Sequence, residues 1–195
     1  MPFIETGFPG LWIFEPKVWE DDRGYFFESF NQNVFAAEGQ VTHWVQDNQA
    51  KSSFGVIRGL HFQAPPHAQT KLIRALTGSI LDVVVDIRAG SPVYGKAYAI
   101  ELSESNKRQL LVPKGFAHGY SVLSETVVVL YKCDEFYHKE TEGGVRYDDP
   151  SLVDLDGRAI DWRVPLSKAV LSAKDVALPL LRALDSPFTF SPPGR

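Results

Sequence analysis

The sequence predicts an all-β fold, a sandwich or barrel of short strands with a few short helices. Three observations carry that expectation. Thirteen prolines and 15 glycines punctuate short apolar segments along the chain, the turn-rich rhythm of β-sheet proteins. In residues 79–88, Val83, Val85 and Ile87 alternate with Asp82, Val84, Asp86 and Arg88, a period of two. Helical signals are few, so the helices that a doubly wound α/β sheet needs between its strands are missing.

Thr77-Gly78 is a turn signal between two β-rich arms, 71–76 and 79–88, and predicts a hairpin. Residues 126–132, Thr-Val-Val-Val-Leu-Tyr-Lys, form another β-rich run, and 11–18, 24–30, 96–103 and 108–112 read as further strands. Two helices are expected. One runs from Asn31 to Glu38, capped by Asn31 and stopped by Gly39; the other runs from Ser172 to Leu184, interrupted near Pro179. The tail over 191–195 is expected to fray.

The 195 residues are 44% apolar, 12% aromatic and 23% charged, the mix of a soluble globular protein of one domain or at most two small ones. No repeat or linker divides the chain, so a single domain over 1–195 is expected, with a short C-terminal helical segment. No run of 18 apolar residues exists, which argues against a membrane span. Pro2 and Glu5 follow Met1 with no basic start and apolar stretch, so no secretory leader is expected. The single cysteine, Cys133, makes neither an internal disulfide nor a cysteine-based zinc site, and it fits a reducing, cytoplasmic compartment. Twenty basic against 24 acidic residues give a net charge of −4, so nucleic-acid binding has no global electrostatic support. A small cationic pocket stays open.

The chemistry-bearing residues cluster. In Gly55-Val-Ile-Arg58-Gly-Leu-His61-Phe-Gln63, with Gln69 and Lys71 after it, His61 can act as a base and Lys71 as the cation for an oxyanion or phosphate. A hydrogen-bonded core histidine and a surface lysine satisfy the same pattern. Pro113-Lys-Gly115-Phe-Ala-His118-Gly119 resembles the second signature of the cupin superfamily, whose fold is a double-stranded β-helix or jelly roll. That raises the question of a metal. The first cupin signature would supply His-x-His and a later Glu, whereas here the stretch reads His61-Phe-Gln63, with no glutamate before Gly78. One strong ligand plus His118 is too few for a three- or four-ligand site, and no metal is expected there. Asp22-Arg23-Gly24-Tyr-Phe-Phe-Glu28 joins a turn to a strand, equally a solvated hairpin edge. Tyr131 and Tyr137 are packing residues, a general acid or a base-stacking platform. Ser172-Ala-Lys174-Asp175 has the form of a capping box, and Asp175 can alternatively hold a histidine in one tautomer.

Together these pieces resemble the dTDP-4-dehydrorhamnose 3,5-epimerase family. The matching stretches also include Glu15-Pro-Lys17, Gln46-Asp-Asn48, Asp82 to Arg88 followed by Ser91-Pro92, and Asn106-Lys-Arg-Gln109, and the likeness runs from about residue 8 to 185. The resemblance implies a cupin-type jelly roll and a homodimer with N-terminal strand exchange. It implies His61 as catalytic base, Tyr131 as proton donor, Asp175 as the partner of His61 and Lys71 as the stabiliser of an enolate oxygen. Arg23, Glu28, Gln46, Asn48, Arg58, His118, Glu142 and Lys174 would contact substrate, and Tyr137 would stack on thymine. Arg23 and Glu28 would serve the partner subunit's site. The implied substrate is a dTDP-4-keto-6-deoxy sugar, dTDP-4-dehydro-6-deoxy-D-glucose, with no cofactor.

The residue types suit that chemistry. The C3 and C5 hydrogens of a 4-keto sugar are both α to the ketone. Their removal needs a base of near-neutral pKa, a cation at the developing oxyanion and an acid to return the proton. Arginine forks suit a diphosphate. Competing readings are a single-centre 3- or 5-epimerase, a 3,4-ketoisomerase, a non-catalytic carbohydrate-binding cupin, and a metal-dependent cupin oxygenase. Gln63 and the missing glutamate oppose the last.

Overall fold

The computed structural model describes residues 2–40 and 42–192. In chain order its strands are β1 (Phe3–Glu5), β2 (Trp12–Phe14), β3 (Trp19–Asp21), β4 (Gly24–Phe26), β5 (Gln46–Ser53), β6 (Ile57–Gln63) and β7 (Lys71–Thr77). They continue with β8 (Ser79–Asp86), β9 (Ala97–Ser103), β10 (Gln109–Val112), β11 (Phe116–Val122), β12 (Thr126–Cys133) and β13 (Glu142–Gly144). The α-helices are α1 (Gln32–Ala37) and α2 (Ala173–Val176). Two sheets form the body, in the orders β1-β2-β10-β7-β12-β5 and β13-β6-β11-β8-β9; the β3–β4 hairpin pairs only with itself. The fold is the expected all-β cupin-type jelly roll. Among the described residues, no helix is long and apolar enough to cross a membrane.

The alternation in β8 shows how the layers are built. Ile80 and Val84 point between the sheets, where they meet Ile73, Val127 and Val129 of the six-stranded sheet. Leu81, Val83 and Val85 point the other way and lie under Leu152, Trp162, Leu181 and Phe188. Seven of its eight residues are therefore buried, because the C-terminal segment covers the outer face of this sheet. On the opposite outside, Phe3, Phe14 and Phe35 pack on Leu72 and Leu111. Full burial of such side chains contributes roughly 1.5–3 kcal/mol each.

Several sequence expectations are refined. Asn31 does cap α1, accepting the Asn33 N–H at 3.0 Å, and Gly39 stops it with φ +74°. The strand expected over 11–18 shrinks to β2, because Pro16 offers no N–H to a ladder; the one over 24–30 shrinks to β4. The helix expected from Ser172 to Leu184 is overturned. Only α2, one turn, forms before Pro179, and Leu181–Ala183 make a separate 3₁₀ turn. Most of the tail expected to fray, residues 193–195, lies outside the described residues.

The join between β6 and β11 positions the site. His118 faces His61 and Tyr120 faces Arg58, so β6 carries one extra residue, a bulge, between those pairs. Residues three apart on a regular strand point to opposite faces. The bulge instead brings both Arg58 and His61 to the inner face, while Ile57, Leu60 and Phe62 pack outward. It is possible only because Gly59 and Gly119 touch. A Cβ on Gly59, where φ is +112°, would sit 2.6 Å from the Gly119 Cα, and one on Gly119 would sit 2.3 Å from the Arg58 oxygen. Gly119→Ala is expected to destabilise the protein by about 1–3 kcal/mol or more in urea denaturation, the range for overpacking. Gly90→Ala, which meets nothing within 4 Å and suffers only the strain of its left-handed backbone, should lose no more than about 1–2 kcal/mol.

Candidate active site

A cavity of about 540 Å³ opens between the sheets and adjoins a second of about 300 Å³; His61, Lys71 and Tyr131 line both. The five-stranded wall supplies Arg58 and His61 from β6 and His118 from β11. The six-stranded wall supplies Lys71 from β7 and Tyr131 from β12. Lys174 and Asp175 of α2 close one side. The sequence scatters these residues over more than a hundred positions, and the jelly roll gathers them.

His61 Nε2 lies 2.5 Å from Asp175 Oδ1. Of the two readings of Asp175, the structure gives the histidine contact to its carboxylate and keeps only the Ser172 side of the capping box. Its backbone N–H donates to Ser172 Oγ at 3.1 Å, the capping half, while its buried carboxylate goes to His61. Burial lowers the His61 pKa below its ordinary value, and Asp175 opposes that shift. With the Nε2–H donated to Asp175, Nδ1 carries the free lone pair. Burial also pushes the Tyr131 phenol up to about 12 and lowers the Lys71 ammonium. The Lys71 Nζ stands 5.9 Å from the Tyr131 ring centroid. Thus Tyr131 stays protonated at neutral pH and His61 stays neutral.

The neighbouring contacts are dense. His118 Nε2 lies 2.9 Å from Asp82 Oδ2 in the core. Arg58 Nε donates to Ser52 Oγ at 3.3 Å. Gln46 Nε2 donates to Asn48 Oδ1, and Gln46 Oε1 accepts the Tyr137 N–H. Tyr137 is 53% exposed, and its hydroxyl donates to Glu142 Oε2 at 2.8 Å. Glu142 also pairs with Lys174. Burial works against ionisation of Glu142, but Lys174 and Tyr137 outweigh it and hold the carboxyl below its usual pKa. Arg23 and Glu28 are not brought in. Arg23 is fully exposed and pairs with Asp21 at 2.6 Å, and Glu28 is exposed and bonds Asn31.

Two residues carry more than sequence reasoning gave them. Asp82 alternates in phase with inward Ile80 and Val84, a signal that was available. Gln63, which departs from the cupin metal-ligand pattern, has a structural task instead. It is buried and holds two loops together: its Nε2 donates to the carbonyls of His67 and Phe136 at 2.8 and 3.0 Å, and its Oε1 accepts the His138 N–H at 2.5 Å. These contacts bear on the cupin metal question. The amide of Gln63 is consumed by backbone and cannot stand in for the missing cupin ligand, and His61 and His118 alone are too few for a three- or four-ligand site, so the central position does not fit a metal. Gln63→Leu would strand three backbone groups, at about 1–3 kcal/mol for each that stays buried. It should therefore lower stability in urea denaturation well beyond Gln69→Leu, which strands only the Glu135 carbonyl.

A family model described as dTDP-4-dehydrorhamnose 3,5-epimerase matches residues 5–183. The dTDP-4-dehydrorhamnose 3,5-epimerase of Shigella flexneri is 48% identical over 177 residues, 90% of this chain and 93% of its own. A crystal structure of a dTDP-6-deoxy-D-glucose-3,5-epimerase from Legionella pneumophila, in complex with dTDP-4-keto-L-rhamnose, superposes with a TM-score of 0.89 at 42% identity, covering 97% of this chain and 98% of that one. A 3'-monoepimerase from Streptomyces bikiniensis, in complex with dTDP-quinovose, superposes at 0.81 with 29% identity, covering 91% and 86%. The chain belongs to the dTDP-4-dehydrorhamnose 3,5-epimerase family.

Proposed function

We propose that the protein inverts C3 and C5 of dTDP-4-dehydro-6-deoxy-D-glucose, giving dTDP-4-dehydro-L-rhamnose on the route to dTDP-L-rhamnose. The observation that carries the mechanism is the placement of base and acid on opposing walls of one cavity: His61 with Asp175 on the five-stranded side, Tyr131 with Lys71 on the six-stranded side.

Each α-proton leaves to a neutral imidazole, and Asp175 fixes the tautomer and steadies the imidazolium that forms. The electron pair moves to O4, and the Lys71 ammonium stabilises the enolate. Inversion requires the new proton to arrive on the other face, and Tyr131, held protonated by burial, donates it. The ketone itself acidifies the C–H bonds, so His61, Tyr131 and Lys71 suffice for the proton transfers. In this reading Arg58 and Lys174 balance the diphosphate. Gln46, Asn48, His118 and Glu142 hold the rest of the substrate, and Tyr137 stacks on the thymine.

The same reading makes the chain one domain and a cytoplasmic homodimer. The β3–β4 hairpin pairs with neither large sheet and exposes Trp19, Tyr25 and Phe26, up to 68% for Phe26. Exchange of this arm between subunits would cover those rings and carry Arg23 and Glu28 into the partner's cavity.

Incubation with the 4-keto sugar nucleotide in D₂O, followed by NMR, tests the assignment. Wild type should take up deuterium at both C3 and C5; label at one carbon alone makes it a single-centre epimerase. Tyr131→Phe should still exchange deuterium while forming inverted product poorly. His61→Ala should lose exchange by about 10²–10⁴-fold, and unchanged exchange would remove His61 as the base.

Tyr137 is expected to act by stacking. Tyr137→Phe should leave kcat nearly unchanged. Tyr137→Ala should raise KM by about 5- to 150-fold, since base–aromatic stacking is worth roughly 1–3 kcal/mol. Equal damage in the two variants would make the hydroxyl, not the ring, the working part.

A further inference from the structure

We propose that His67, Glu135 and His138 form a binding site for a divalent transition metal, zinc above all, that bridges the β6–β7 and β12–β13 connections. One ligand atom from each of the three residues lies within 4.8 Å of the others. None of the three lines either cavity of the active site, so this site is separate from the proton-transfer chemistry.

The donor set selects the metal. Two imidazoles and one carboxylate suit zinc and its borderline neighbours, with water as a fourth ligand, whereas calcium and magnesium favour all-oxygen sites. The rings of His67 and His138 stack with centroids 3.4 Å apart and planes 12° from parallel. Coordination at about 2.0–2.1 Å requires the rings to turn out of that stack and the donors to close in. The histidine ring torsion is broad and soft, and all three residues are only partly buried, so side-chain rotation is sterically open.

The surroundings prepare that step. His138 Nδ1 lies 3.1 Å from Glu140 Oε1, the carboxylate–histidine arrangement that fixes the tautomer of a metal ligand and leaves Nε2 with its lone pair. Glu135 Oε1 accepts the Phe136 N–H, leaving its second oxygen for a ligand. Glu135 and Glu140 together supply charge opposite to a dication. The backbone under the ligands is already fastened: Gln63 ties the His67 carbonyl to Phe136 and His138, and Gln69 holds the Glu135 carbonyl at 2.8 Å. The ordering cost of bringing the two loops together is therefore met before metal arrives.

Calorimetric titration of chelator-stripped full-length protein with zinc chloride tests the site. One equivalent per chain should bind in about the micromolar range or tighter, with a rise in Tm, while magnesium and calcium produce neither. His67→Ala and His138→Ala should each abolish that equivalent, and Glu140→Gln should weaken it by about tenfold. His61→Ala, in the cavity, should leave it intact. Cobalt(II) added to the wild type should give the intense visible bands of a four-coordinate site, a readout that needs no variant to fold. Undiminished zinc binding by the His67→Ala/His138→Ala double variant, or wild type that binds no zinc in the micromolar range and gives no such cobalt spectrum, overturns the proposal.

Discussion

One extra residue in β6 governs the active site. Without it, Arg58 and His61 would face opposite sides of the sheet, one toward solvent or the outer core and one toward substrate. The bulge costs the ladder its regular pairing, and the absence of side chains at Gly59 and Gly119 makes room for it. Everything that follows on this wall is registered against it. His61 lies opposite His118, His118 reaches Asp82, and α2 packs where its carboxylate meets the imidazole. Local backbone geometry thus sets the spacing between the Arg58 guanidinium and the His61 imidazole.

Burial then tunes the groups that the two walls present. Desolvation always disfavours the charged form, and at this site it acts in a useful direction twice: it favours the neutral His61 imidazole and the protonated Tyr131 phenol, whereas at Lys71 it works against the ammonium. Asp175 works against the shift at His61, so the contact that orients the ring also restores part of the basicity that burial removes. An acidic protein can hold an anionic substrate because cations gather locally: Arg58, Lys71 and Lys174 line the larger cavity, where Asp175 is the one carboxylate among the lining residues.

Much of this was legible in the amino-acid order. The β7–β8 hairpin and β12 declare themselves by β-branched runs around Thr77-Gly78, and α1 by its cap and its glycine stop. Strand β5 does not. Its residues, Gln46 to Ser53, are almost all polar, and only pairing with β12 makes it a strand. The stretch after Ser172 reads as a helix from its cap and leucines, yet Pro179 and the demand for an outer cover of the sheet convert most of it to irregular chain. His61, Lys71, Tyr131 and Asp175 were visible as residue types within a resemblance. Their opposition across the cavity was not, because facing sheets are a tertiary fact with no local signature. The structural use of Gln63 was hidden for the same reason: its partners are backbone groups of loops up to 75 residues away.

The C-terminal segment covers the outer face of the five-stranded sheet with Leu152, Trp162, Leu181 and Phe188, and the same segment holds Asp175. In a chain made from its N-terminus, both arrive last. Until they dock, Leu81, Val83 and Val85 lack their cover and His61 lacks its carboxylate. The docking that seals the outer face of this sheet is therefore also the docking that gives His61 its carboxylate partner.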